Sequence, residues 1–175
     1  MLWLKIVSKI IKAFRSGESP NKIAAGFGIG FLIGLMPFWT LQGVILLILL
    51  ILLDVNLSAG TLAIIVFGLF SYLLDPLFDV VGTFVLTGIP FLYGLWESLY
   101  NMPVAPLSRF NNTVAMGSFV CGLILFAPVF YGMKKLVLAY RSGLEERINK
   151  LKIVKAVKGS SIYKWYVRIR DFGGE

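Results

Sequence analysis

The chain has 175 residues, of which 58% are hydrophobic and 15% charged, with a formal net charge of +8 and a mean hydropathy of +0.83. An ordinary soluble domain is roughly 45–50% apolar and about 25% charged, so this composition excludes a soluble globular enzyme and makes lipid the solvent for most of the chain. The absence of histidine removes imidazole bases, ligands and pH switches. A single cysteine, Cys121, removes disulfide frameworks and Cys-based zinc or redox pairs.

Of the 17 Lys and Arg residues, 5 lie in residues 1–22 and 11 in residues 134–175, leaving Arg109 alone between them. The middle carries four acids, Asp54, Asp75, Asp79 and Glu97. Short Lys/Arg-rich flanks remain cytoplasmic during insertion, so both termini are expected in the cytoplasm and the number of crossings is even. Basic charge flanking apolar spans has this topological meaning, and no nucleic-acid partner is expected.

Residues 1–15 place Trp3, Ile6, Val7, Ile10, Ile11 and Phe14 on one side of a helix, with Lys5, Lys9 and Lys12 on the other. This is a basic amphipathic helix suited either to the headgroup plane or to packing on the protein's own cytoplasmic face. It is taken with residues 16–18 as an interfacial segment, 1–18. A transmembrane domain, 19–133, and a basic cytoplasmic tail, 134–175, follow.

Ser19-Pro20 reads as an N-cap with proline at N1. From Ile23 to Leu53 no residue is charged. That stretch is too long for one upright span of a ~30 Å hydrocarbon core and too short for two. Met36-Pro37-Phe38-Trp39-Thr40-Leu41-Gln42-Gly43 interrupts it. Two half-helices, about 20–36 and 41–53, are expected, forming either a kinked crossing or a re-entrant hairpin. Gly26, Gly30 and Gly34 recur at four-residue spacing, a row that lets another helix approach closely.

Asp54 to Ser58 reads as a polar turn with Ser58 as the next cap, followed by a helix over about 59–74 that ends at Asp75-Pro76. A further apolar stretch covers 80–96, and 97–111 reads as an exposed loop with Trp96, Tyr100 and Phe110 as an aromatic belt. The span 113–133 ends at Lys134-Lys135. The expected fold is therefore an all-α integral membrane protein of about four apolar units (20–53, 57–74, 77–96 and 113–133). At least one helix is broken or re-entrant, and amphipathic helices lie at both ends.

In the tail, Leu144, Ile148, Leu151, Val154 and Val157 mark a second amphipathic helix. Tyr163, Trp165, Val167 and Ile169 then alternate with Lys164, Tyr166, Arg168 and Arg170, as in a strand or an extended interfacial segment. Such a segment either pairs with a β-rich partner protein or lies on anionic lipid, where Tyr163, Trp165, Arg168 and Arg170 would make the contact.

The run from Ser19-Pro20 through the Ala/Gly-rich helix to Gly34-Leu-Met-Pro37, followed by Asn56 and then Gly60-Thr61, resembles a bacterial membrane family. Its catalogue name in words is domain of unknown function number twenty sixty-two. That family also carries an Asn-Pro, for which Asp75-Pro76 is the nearest equivalent here. The resemblance spans roughly residues 19–90 and implies a small bacterial inner-membrane protein with no established activity.

Pro37, Thr40, Gln42, Asn56, Asp75, Pro76 and Asp79 form the candidate polar or broken-helix site. Asp75 and Asp79 share a helix face. They lie either in a surface turn, with Pro76 at N1 of the next helix, or in a polar site within a span. Apolar units broken by proline with polar residues at the break follow the pattern of transporter sites. The expected function is a transport or lipid-handling component, working as a homo-oligomer or in a larger membrane complex. The alternative is a structural anchor that recruits a partner through its ends. No enzyme activity, cofactor or metal is expected, and membrane lipids are the expected partners.

Overall fold

The structure, a computed structural model, describes residues 17–144, and every described element is helical. Residues Met1–Val137 and Leu138–Glu175 form two units. The basic N-terminal segment with Lys5, Lys9 and Lys12, and the tail from residue 145 with Tyr163, Trp165, Arg168 and Arg170, lie outside the described residues.

Helix α1 spans Pro20–Leu35. It starts where the sequence signals it: Pro20 sits in its first turn, and the Ser19 hydroxyl accepts from the Lys22 N–H at 3.3 Å. Met36 is extended, and Pro37 follows it. The residue before a proline is biased out of the helical region, which terminates α1. Helix α2, Leu41–Leu52, restarts at Thr40. The Thr40 side chain accepts from Gly43 N–H at 3.2 Å and donates to the Pro37 carbonyl at 3.1 Å. One hydroxyl thus closes both sides of the break.

Helix α3, Leu57–Thr87, has 31 residues. Its cap is Asn56 rather than Ser58; the Asn56 amide oxygen accepts from Ala59 N–H at 2.6 Å. Helix α4, Tyr93–Tyr100, and 3-10 turns at Pro90–Leu92 and Ala105–Ser108 make the connection to α5. Helix α5, Thr113–Ala139, opens with Asn112 accepting from Ala115 N–H at 2.8 Å. In the second unit, a π-helical turn, Tyr140–Leu144, holds Gly143 at φ 134°, where helical geometry is lost.

Two of the expected units are one helix. Residues 57–74 and most of 77–96 join in α3, which passes through Asp75-Pro76 without a break. A surface turn with Pro76 at N1 is therefore excluded. The reason is local and tertiary. Pro76 removes a single donor, the one that would meet the Tyr72 carbonyl, and the half of α3 beyond it is held against α5. A Cβ at Gly82 would overlap the Thr113 carbonyl, and one at Gly117 would overlap the Phe78 carbonyl. Asp79 accepts from the Thr113 hydroxyl across the same contact. The loop expected at 97–111 likewise carries the end of α4 and a 3-10 turn. Among the described residues two helices, not four, are long and apolar enough to cross a membrane: Leu57–Thr87 and Thr113–Gly143.

Contacts fix the directions. Gly26 faces the Asn56 backbone, Gly30 faces Gly60, and Gly34 lies where a Cβ would come 3.0 Å from the Ile64 carbonyl. Both numbers rise together, so α1 and α3 are parallel. Leu50 packs with Ile29 and Ile33, and beyond the end of α2 the Asn56 N–H donates to the Lys22 carbonyl at the start of α1, so α2 doubles back along α1. Helix α5 runs back against α3 and passes α1, with Gly122 against Leu32 and Gly28 against Phe126. The start of α1, the end of α2, the start of α3 and the Val137 end of α5 thus share one end of the bundle, here the near end.

Candidate functional site

The bend between α1 and α2 is the hairpin tip. It reaches the middle of α3, about 24 Å from the start of α1 at 1.5 Å per residue. There the chain leaves a cleft of about 440 Å³. Met36 to Trp39 contribute from the tip, Gly68, Ser71, Tyr72 and Asp75 from α3, and Arg109 from the far-end connection. Asp75 is half-buried and Arg109 exposed. Arg109 is the one basic residue between Lys22 and Lys134. Neither its guanidinium nor the Asp75 carboxylate has a hydrogen-bond or ion-pair partner among the described residues.

The backbone of Arg109 is held at the end of a 3-10 turn. It ends the Ala105–Ser108 turn in the left-handed region, at φ 53°. That region costs an L-residue roughly 1–2 kcal/mol, and such geometry persists only when its surroundings enforce it. Here the Arg109 N–H donates to the Pro106 carbonyl at 3.0 Å, and its carbonyl accepts from Asn112 N–H at 2.9 Å. The turn is tied to the hairpin by Gln42, whose Nε2 donates to the Ser108 carbonyl at 2.9 Å; the Gln42 Oε1 is buried without a partner.

The candidate residues from sequence therefore fall in three places. Pro37 and Asp75 line the cleft, and Pro76 adjoins it. Thr40 and Gln42 hold the tip together beside it. Asp79 lies further along α3 with Thr113. Asn56 is at the near end, where its Nδ2 donates to Glu18 Oε2 at 3.0 Å and its N–H to the Lys22 carbonyl at 3.1 Å. Lys22 also pairs with Asp54 there. The row Gly26, Gly30, Gly34 lies within the protomer, between α1 and α3.

Sequence reasoning missed Arg109, Ser71 and Tyr72 as parts of one site. Arg109 had a visible signal, being the lone cation of a long charge-poor stretch. A second cavity of about 560 Å³ lies among the far-end segments, between Trp96, Glu97, Tyr100, Asn101 and Phe110. Trp96 stacks on Phe110 there, with ring centroids 6.0 Å apart, and its Nε1 is buried without a partner. No group of three or more acidic or Cys side chains with metal-site spacing occurs among the described residues.

These features define a helical protein with two membrane-length apolar helices and a short helical hairpin laid against them. The chain belongs to a family of uncharacterized proteins conserved in bacteria, DUF2062, whose match covers residues 5–143. It is also similar to an uncharacterized protein of Treponema pallidum (strain Nichols), at 23% identity over 161 residues, covering 92% of this chain and 99% of that protein. No solved structure matches the chain.

Proposed function

We propose that the protein is a multi-pass protein of the bacterial inner membrane that handles a small polar or amphipathic molecule at the hairpin tip, as a transport or lipid-handling component. In this reading α3 and α5 cross the bilayer, and α1 and α2 form a re-entrant hairpin entering from the cytoplasmic side. The observation that carries it is the cleft at the hairpin tip, which Asp75 and Arg109 both line at the break in an otherwise apolar bundle. Ionisable groups within a span face a cavity or a partner and mark function, and interrupted helices at depth line such cavities.

Three physical facts support the membrane placement. Helices α3 and α5 expose large apolar side chains along their length, among them Leu69, Leu73, Val80, Ile124 and Leu136. At about 24 Å and 18 Å, α1 and α2 each fall short of a ~30 Å core, whereas α3 at about 46 Å exceeds it. Lys22, in the first turn of α1, and Lys134, in the last turns of α5, lie toward the near end, which the positive-inside rule assigns to the cytoplasm. The role proposed is binding and passage rather than catalysis, with the protein working alone, as an oligomer or in a larger complex.

The test is side-specific labelling. Single cysteines at Gly17, Asp54 and Asn101 in a Cys121→Ser background are treated with a membrane-impermeant maleimide in spheroplasts and in inverted vesicles. A re-entrant hairpin places Gly17 and Asp54 on the cytoplasmic side and Asn101 outside. Labelling of Gly17 and Asp54 from opposite sides would mean that residues 20–53 cross once, and the proposal would fail.

A further inference from the structure

The cleft at the hairpin tip is lined by one anion and one cation, Asp75 from α3 and Arg109 from the far-end connection, which do not pair with each other. A purely anionic ligand would meet Arg109 and oppose Asp75, and a purely cationic one the reverse. A charge left unmatched at a partly desolvated site is costly, and it gains most from a hydrogen-bonded partner of opposite sign. The ligand that answers both is a zwitterion small enough for its two charges to lie within the one cleft. The rim of the cleft adds a second requirement. Trp39 and Tyr72 are 76% and 80% exposed, and Phe38 is 45% exposed. In the embedded hairpin these rings border the acyl region, and Trp and Tyr favour the level of headgroups. The volume, about 440 Å³, falls in the range of sites for small ligands, roughly 300–1,000 Å³.

We infer that the cleft binds the head group of a zwitterionic phospholipid bearing a primary ammonium, as in phosphatidylethanolamine, with Arg109 on the phosphate and Asp75 on the ammonium. Arg presents a rigid fork matched to phosphate oxygens. The ammonium offers three donors to carboxylate and hydroxyl acceptors, and Asp75 and Ser71 line one wall. A trimethylammonium head group has no such donors and is rejected. The acyl chains run past Trp39 and Tyr72 on the outer surface. This inference rests on the membrane-embedded reading above. The labelling pattern can hold while the lipid preference fails, so the two are separable.

The experiment is lipid retention by native mass spectrometry of the full chain, released from detergent containing equimolar phosphatidylethanolamine, phosphatidylglycerol and phosphatidylcholine. Wild type is expected to retain phosphatidylethanolamine about tenfold over either other lipid, one decade of affinity. Asp75→Asn is expected to equalise phosphatidylethanolamine and phosphatidylglycerol. Arg109→Gln is expected to lose retention of both, with Arg109→Lys restoring part of it. Asp54→Asn, at the near end, is expected to keep the wild-type preference, and monodisperse elution identifies folded variants. Soluble phosphoethanolamine at the same concentration is expected not to displace the lipid; displacement would assign the site to a free metabolite and overturn the lipid reading. Absence of head-group preference in wild type, or wild-type behaviour of folded Asp75→Asn and Arg109→Gln, would overturn the inference altogether.

Discussion

One close helix approach, between α1 and α3, gives the sharpest test of the hairpin's packing. Gly30 and Gly132 are both interior to helices, yet their surroundings are opposite. A Cβ on Gly132 meets nothing within 4 Å, whereas one on Gly30 falls on the Gly60 carbonyl oxygen, with the Gly60 carbonyl carbon and Cα each 2.8 Å away. Replacing helical glycine by alanine stabilises by about 0.8–1.0 kcal/mol through backbone entropy, and both variants receive this gain. At Gly30 the obstructing atoms are backbone and cannot rotate aside. Carbon contacts relax at about 3.5–4.0 Å, so α1 and α3 must part by roughly 1 Å or lose their register. Overpacking of this kind costs about 1–3 kcal/mol. Gly30→Ala is therefore expected to be less stable than wild type by up to ~2 kcal/mol, and Gly132→Ala more stable by up to ~1 kcal/mol. The gap, about 1–3 kcal/mol, is the overpacking cost alone and corresponds to roughly 2–12 °C in melting temperature for a chain of this size. Thermal unfolding in mild detergent, read by the fraction that still elutes as a monodisperse peak, measures it. If Gly30→Ala melts at or above Gly132→Ala, the parallel glycine-mediated contact between α1 and α3 is wrong.

Two further substitutions probe the ends of the hairpin by the same melting assay. Thr40→Val preserves shape but removes the hydroxyl that caps α2 and holds the Pro37 carbonyl; a loss of about 1–2 kcal/mol is expected, with Thr40→Ser close to wild type. Asn56→Asp keeps the cap acceptor for Ala59 N–H but replaces the amide donor to Glu18 with a second carboxylate. It is expected to destabilise by about 1–3 kcal/mol, and Glu18→Gln in the same chain should recover most of that loss.

Much of the hairpin is legible from local signals. Ser19-Pro20 fixes the start of α1, and Met36 to Gln42 marks the break, because caps and prolines act on their nearest neighbours. The row Gly26, Gly30, Gly34 announces a close helix contact, although not which helix supplies the other side. What sequence patterns hide is the passage of α3 through Asp75-Pro76. Locally the pair reads as a stop, and the override comes from Gly82, Asp79 and Phe78 meeting Thr113 and Gly117 more than thirty positions away. The same contact conceals the site. Asp75 and Arg109 line one cleft only because α3 continues and the far-end connection folds back onto the hairpin through Gln42 and Ser108. A lone Arg in a charge-poor stretch is a topology marker until its neighbour across the fold is known.

Pro76 offers a test of whether α3 gives up helical stability at the cleft. The helix lacks the hydrogen bond that residue 76 would donate to the Tyr72 carbonyl, since proline has no N–H, and Tyr72 lines the cleft beside Asp75. In water such a carbonyl is hydrated; within a bilayer it must find a partner in the protein, in the cavity or in a bound ligand. Pro76→Ala supplies the missing donor and removes the ring that crowds the preceding turn. The full penalty of a proline in a helix interior is about 3 kcal/mol, so stabilisation approaching that value is expected if the Tyr72 carbonyl is poorly served in the native protein. Thermal melting of the delipidated variant against wild type measures it, and repeating the melt with added phosphatidylethanolamine separates the contributions. Lipid that reaches the freed carbonyl should stabilise wild type more than Pro76→Ala, so the advantage of the variant should shrink when lipid is present. A variant no more stable than wild type without lipid would show that protein groups already satisfy that carbonyl, and the cleft would lose its claim to an unspent acceptor.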